Sequence, residues 1–168
     1  MTTASVAFLV LGLTGCATRK AAPPPAEKSA DVGTIPAPAI TLERTPCFGS
    51  CPVYRVSVSP AGSISYEGKA HVRQLGAATG QIPAKRVTAL LSEIERAGYF
   101  SFANRYTSAE PACGRYATDS PTAITLVRLG DRTKRIEHDY GCGAAPGALV
   151  VLESRIDQVL GSARWTGR

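Results

Sequence analysis

Four cysteines, Cys47, Cys51, Cys113 and Cys142, stand with His71, His138 and Asp139 as the side chains whose types could do chemistry in this chain. Thiol redox exchange, metal ligation and hydrolysis are the chemistries to weigh. Cys47 and Cys51 have three residues between them, Phe48-Gly49-Ser50, and Pro52 follows at once. Thioredoxin-like exchange uses two intervening residues at a helix N-terminus, where the thiol pKa is depressed. Here the spacer is longer and a strand pattern follows, so a structural clip is expected and a thiol redox pair is the alternative. Zinc sites show paired ligand spacings, such as two residues between cysteines. No such pair occurs, so neither a metal nor another cofactor is expected. His138 beside Ile136 reads as a histidine bonded to a neighbouring side chain. A hydrolase of the Gly-x-Ser-x-Gly type needs a strained nucleophile turn, and that motif is missing from the chain. Asp119 before Ser120-Pro121 reads as turn chemistry, its carboxylate bonding the backbone. No catalytic residue is assigned, and the balance is against an enzyme.

The fifth cysteine, Cys16, points to a different chemistry. Ala4 to Leu13 is an apolar run, too short to span a bilayer, which takes about 20 residues, but suited to the apolar region of a secretory signal. Leu13-Thr14-Gly15-Cys16 then has the pattern of a bacterial lipobox. Residues 1–15 are expected to be a lipoprotein signal peptide and Cys16 the site of lipid attachment. Several acyl chains on one residue anchor far better than a single myristoyl group. The pattern departs from the usual one in having no Lys or Arg ahead of the apolar run. Ala17 after the cysteine fits lipoproteins sent to the outer membrane, facing the periplasm. Residues 16–39 read as the lipidated cysteine and a tether, in which Pro23-Pro24-Pro25, Pro36 and Pro38 favour extended conformations. Residues 40–168 are expected to form a single globular domain.

An even number of cysteines in an exported domain reads as disulfides. Three pairings of four cysteines exist. Cys47–Cys51 with Cys113–Cys142 is favoured, because each pair brackets a turn-rich segment. Loop-closure entropy assigns about 2 kcal/mol to the short loop and about 3.5 kcal/mol to the longer one.

The elements that must carry these residues follow from periodicity. Ile40-Thr41-Leu42-Glu43-Arg44 alternates as a first strand. Beyond the cysteine corner, Tyr54, Val56 and Val58 share one strand face, with Arg55 and Ser57 on the other. Ser59-Pro60-Ala61-Gly62 is a turn, and Ile64 and Tyr66 return inward to complete a hairpin. Gly68 punctuates, and Ala70 to Leu75 is expected as a further, weaker strand. Pro83 opens a helix as its first-turn residue. Val87, Leu90, Leu91 and Ile94 form its buried stripe, and Gly98 its left-handed cap. Ala103 to Ser120 reads as an irregular loop carrying Cys113. Ile124 to Leu129 and Thr133 to His138 form a second hairpin about Gly130-Asp131. Pro146 opens a second helix with Leu149, Leu152, Ile156 and Val159 on one face, Gly161 ends it, and Trp165 covers one end of the core. Strands, helix, strands, helix, joined by short hairpins, predict an α+β fold. The expected arrangement is a disulfide-clipped antiparallel sheet of hairpins with both helices packed on one face.

Net charge is +6 over 168 residues, and the basic residues are scattered. Arg132, Lys134 and Arg135 form the one cluster, beside a turn, and read as a solvated strand face. Nucleic-acid binding is not expected, since no recognition motif, basic helix or aromatic-rich sheet signature occurs.

Along its globular part the chain resembles a bacterial lipoprotein family, domain of unknown function 6438. The resemblance rests on Cys47-Phe48-Gly49-Ser50-Cys51-Pro52-Val53-Tyr54, on Ser65-Tyr66-Glu67-Gly68, on Tyr116 to Thr122 and on His138-Asp139-Tyr140-Gly141-Cys142. It covers roughly residues 40 to 166 and implies no activity. The expectation is a non-catalytic cell-envelope module, held at the membrane by its lipid, that binds an envelope protein or polysaccharide. Phe48, Pro52 and Tyr54 are the candidate contact residues, with the loop from Tyr106 to Thr122 as a second surface.

Overall fold

A computed structural model describes residues 1–2 and 37–168; nearly all of the expected signal, Cys16 and nearly all of the tether lie outside the described residues. Among the described residues the seven strands are β1 (Ile40–Arg44), β2 (Val53–Val58), β3 (Ser63–Ala70), β4 (Gly76–Gln81), β5 (Arg105–Tyr106), β6 (Thr122–Leu129) and β7 (Arg132–Asp139). Helix α1 (Ala84–Arg96) lies between β4 and β5, and α2 (Gly147–Leu160) and the short α3 (Ala163–Thr166) follow β7. One sheet has the order β4-β3-β2-β1-β6-β7-β5. Every pairing is antiparallel except the two-residue β5, which runs parallel to β7. The fold is α+β, and no described helix is long and apolar enough to cross a membrane.

Register explains the single buried face. Leu42 stands opposite Val56 on one side and Thr125 on the other, and Thr125 opposite Ile136. Ile40, Leu42, Val56, Val58, Val127 and Ile136 are fully buried, while Arg55, Ser65 and Glu67 on the alternate phase are exposed. Both helices cover the buried face. Helix α1 contributes Val87, Leu90 and Ile94, and α2 contributes Leu149, Leu152, Ile156, Val159 and Leu160. Their outer edges are joined by Arg155, whose Nε donates to Glu93 at 2.8 Å. The Tyr99 and Thr125 hydroxyls meet at 2.6 Å beneath α1, satisfying two polar groups inside an apolar layer. Tyr66 stacks between Tyr54 and Trp165, with ring centroids 5.8 and 4.7 Å away, so Trp165 closes the end of the core.

Three local expectations are corrected. The strand expected at Ala70 to Leu75 is instead a bend, and the next strand runs from Gly76 to Gln81. Strand β3 continues through Gly68 to Ala70, and the reversal comes at His71 and Gly76, both at positive φ. Gly68 is there for closeness: a Cβ would collide with the Gln74 carbonyl of the returning bend. Pro83 and Pro146 sit one residue before their helices, in extended conformation, rather than inside the first turn. The region from Ala103 to Ser120 is not wholly irregular, because it holds β5 and a 3-10 turn at Pro111–Cys113.

Candidate functional site

The corner between β1 and β2 is a covalent ring. Cys47 and Cys51 are joined with their Cα atoms 5.7 Å apart, and Gly49 takes φ +132°, a conformation closed to most side chains. Phe48 N donates to the Asp119 carbonyl at 3.1 Å, and Arg168 Nη2 donates to the Ser50 carbonyl at 2.8 Å. The ring is therefore tied to the loop before β6 and to the C-terminus. Phe48 rides on top, 89% exposed. An apolar ring held out on a short disulfide loop loses little conformational entropy when something binds it.

Beneath the ring lies a cleft of about 390 Å³, lined by Arg44, Cys51, Pro52, Tyr54, Pro121 and Tyr140 among others. Its floor is polar and connected. Arg44 follows Ile40 and Leu42 in phase, so its side chain points to the core face and meets α2. Its Nε and Nη2 donate to Asp157 Oδ2 at 3.2 and 2.9 Å, and its Nη1 donates to the Tyr140 hydroxyl at 2.6 Å. Tyr54 donates to Asp157 Oδ1 at 2.5 Å, and the Ser162 hydroxyl donates to the same oxygen. The Tyr140 hydroxyl in turn donates to Glu153 Oε2 at 2.7 Å, and Glu153 also meets His138 Nδ1 at 3.0 Å. Six side chains, from β1, β2, β7, the residue after β7 and α2, thus form one chain of hydrogen bonds, from Tyr54 and Asp157 through Arg44 and Tyr140 to Glu153 and His138.

The surroundings shift the ionisations. Burial pulls the Arg44 guanidinium down, but the Asp157 carboxylate and the two phenols more than offset this and hold its pKa above the ordinary value. Burial, reinforced by Asp157, pushes the Tyr54 phenol up. Burial also raises Tyr140, to about 12, with Arg44 opposing and Glu153 assisting. Every one of these groups keeps at neutral pH the protonation state that the bonding requires. The arrangement is suited to holding α2 against the sheet and to offering a guanidinium edge and two aromatic rings to the cleft.

The second ring lies at the end of β7. Cys113 and Cys142 are joined with Cα atoms 4.5 Å apart, both buried. Around them Gly143 N donates to Arg115 O at 2.8 Å and Ala144 N to Cys113 O at 3.0 Å. Asp139 is a turn residue: Oδ1 accepts from Gly141 N at 2.8 Å, and Oδ2 accepts from the Tyr116 hydroxyl at 3.1 Å.

The candidates from sequence are therefore placed as follows. All four cysteines of the domain are in disulfides. Phe48 is a surface residue, Pro52 is half-buried, and Tyr54 is 5% exposed with its hydroxyl committed to Asp157. Of the three contact candidates, Phe48 alone stands clear of the surface, while Pro52 and Tyr54 line the cleft below it. His71 lies on the β3–β4 bend, whereas His138 is in the core, so the candidate ligands are not brought together. Among the described residues no three His, Cys, Asp or Glu side chains are grouped to hold a metal ion. Sequence reasoning passed over Arg44, Tyr140, Glu153 and Asp157. Their signal was present: Arg44 occupies the inward phase of its strand, and Glu153 and Asp157, four apart, border the apolar stripe of α2.

Among curated proteins none matches this chain. A family model, described as a domain of unknown function, matches residues 38–160, from the residues just before β1 through the end of α2. That span takes in both disulfides, the cleft and the whole hydrogen-bonded chain beneath it, and the protein belongs to this family, Domain of unknown function (DUF6438).

Proposed function

We propose that the protein is a cell-envelope lipoprotein, anchored through Cys16, whose domain binds an envelope partner without catalysing a reaction. The observation that carries the reading is Phe48: a large apolar ring, 89% exposed, at the tip of a disulfide ring that is itself hydrogen-bonded to two other segments. Exposed aromatics on rigid supports are the residues on which binding energy concentrates. The cleft beside it, with the Arg44 guanidinium at its floor and Pro52, Tyr54 and Pro121 on its walls, gives a bound side chain somewhere to go. The polar side chains under the cleft are engaged in holding α2, and Cys47, Cys51, Cys113 and Cys142 are engaged in disulfides. The two disulfides favour an exported domain, since oxidised cysteines persist in the periplasm and are rare in the cytosol.

The test is capture of partners from intact cells by the wild-type protein and by Phe48→Ala. The reading expects captured material to fall at least about tenfold in the variant, with its melting temperature unchanged. Equal capture by the two proteins removes the ring as the binding surface.

A further inference from the structure

We infer that the free edge of β4 is a docking site for an extended, acidic segment of a partner protein, which adds to the sheet as an eighth strand. The sheet ends at β4 on one side and at the two-residue β5 on the other. A strand that short offers almost no edge. Strand β4 has six residues, Gly76-Ala77-Ala78-Thr79-Gly80-Gln81, and is paired to β3 without a bulge. It carries no proline and no charge, so it lacks the devices that ordinarily protect an edge from pairing.

The register shows which backbone groups are free. Ile82 N donates to Gly62 O at 3.0 Å. Counting back in twos along the antiparallel ladder, Gly80, Ala78 and Gly76 bond to β3. Ala77, Thr79 and Gln81 therefore turn their N–H and C=O groups outward, and all three residues are exposed. Main-chain bonding to such an edge supplies affinity for any extended peptide.

Charge selects the kind of peptide. Between Glu67 and Glu93 the chain carries Lys69, His71, Arg73, Lys85 and Arg86 and no carboxylate. Arg73, Lys85 and Arg86 are exposed, and among the described residues none of them is in an ion pair. Arg164, stacked on Trp165, lies directly against Gly80. Cations thus stand at both ends of the edge and under its middle. Leu75, 63% exposed, gives an apolar contact where the strand begins. A second copy of this chain fits less well, because pairing two β4 edges would bring two basic rims together. The inference does not depend on Phe48 meeting a partner.

The experiment uses the full, disulfide-intact protein and an end-capped eight-residue peptide of alternating valine and glutamate. The comparison peptide has lysine for glutamate. Amide hydrogen exchange read by NMR should slow at least about tenfold at Ala77, Thr79 and Gln81 with the glutamate peptide and not with the lysine peptide. Thr79→Pro removes one outward donor and leaves the β3 side of the strand paired; with its melting unchanged, it should weaken the glutamate peptide about tenfold. The inference is overturned if neither peptide slows exchange, if both slow it equally, or if Thr79→Pro binds like wild type. It is likewise overturned if raising the protein concentration alone protects the edge, or if phosphatidylglycerol vesicles protect it and the peptide does not.

Discussion

His138 Nδ1 lies 3.0 and 3.1 Å from the two carboxyl oxygens of Glu153, and neither side chain is more than 2% exposed. Glu153 also accepts the Tyr140 hydroxyl, so one acidic residue of α2 satisfies two donors from β7 and the residue after it. Removing it leaves a buried N–H and a half-buried O–H without an acceptor, and a void beside them. Glu153→Ala should cost about 3–5 kcal/mol of stability, measured by urea unfolding. Glu153→Gln keeps the volume and one acceptor, and should cost about 1–3 kcal/mol. An alanine variant as stable as wild type would show that this junction does not hold α2 to the sheet.

Asp157 collects Arg44, Tyr54 and Ser162 beneath the cleft, and its side chain is partly exposed. Solvent screens it more than Glu153, so Asp157→Ala should cost about 2 kcal/mol. The Arg44→Met, Asp157→Ala double variant should be less damaged than the sum of the singles, with a coupling of at least about 1 kcal/mol. Strict additivity in that cycle would contradict the geometry given for the cleft floor.

The general plan of the fold was legible because each hairpin and helix announces itself locally. Tyr54, Val56 and Val58 alternate, Gly130-Asp131 dictates a two-residue turn, and α1 and α2 each repeat apolar residues at helical spacing. Strand β4 was not legible. Gly-Ala-Ala-Thr-Gly-Gln has no β-branched run and no alternation of large apolar with polar residues, and it is a strand because β3 continues past Gly68 and leaves a ladder to be filled. The exposed ring of the site was legible from the two close cysteines. The polar chain beneath it was not, because it joins residues about 100 positions apart, as with Arg44 and Asp157, and only the tertiary packing of α2 brings them together.

High pH should act on the tyrosines. Tyr54, Tyr99 and Tyr140 are all raised above the ordinary value of 10, in each case first by burial. A phenol with a folded pKa above its unfolded one holds its proton more tightly in the folded state. Its contribution to stability is complete below about pH 10 and is lost as pH rises through the folded value, about 12 for Tyr140. Unfolding free energy should stay level for these groups up to about pH 10 and then fall. Absorbance at 295 nm should show these three phenols ionising only together with unfolding; ionisation of Tyr99 near pH 10 in the folded protein would contradict their burial.

The two disulfides should differ in weight. The Cys113–Cys142 loop is the longer, with a separation of 29 against 4 for Cys47–Cys51. Replacing Cys113 and Cys142 by serine should cost about 3.5 kcal/mol, and replacing Cys47 and Cys51 about 2 kcal/mol. The short ring sits at a sheet corner with its backbone bonded to the Asp119 carbonyl, so the domain should stay folded without it. Its loss should nevertheless weaken partner capture, because Phe48 is then no longer held out. A larger loss of stability from the short ring than from the long one would reverse this assignment.

Phe48 on its disulfide ring is proposed to meet a partner in the cell envelope. A photo-crosslinking amino acid placed at position 48 in living cells tests it directly. Val151, 66% exposed on α2 and remote in sequence from the ring, serves as the control position. Position 48 should give a discrete adduct with one envelope component, absent from position 151 and lost when Cys47 and Cys51 are replaced by serine. No adduct at position 48, or the same adducts from both positions, would contradict it.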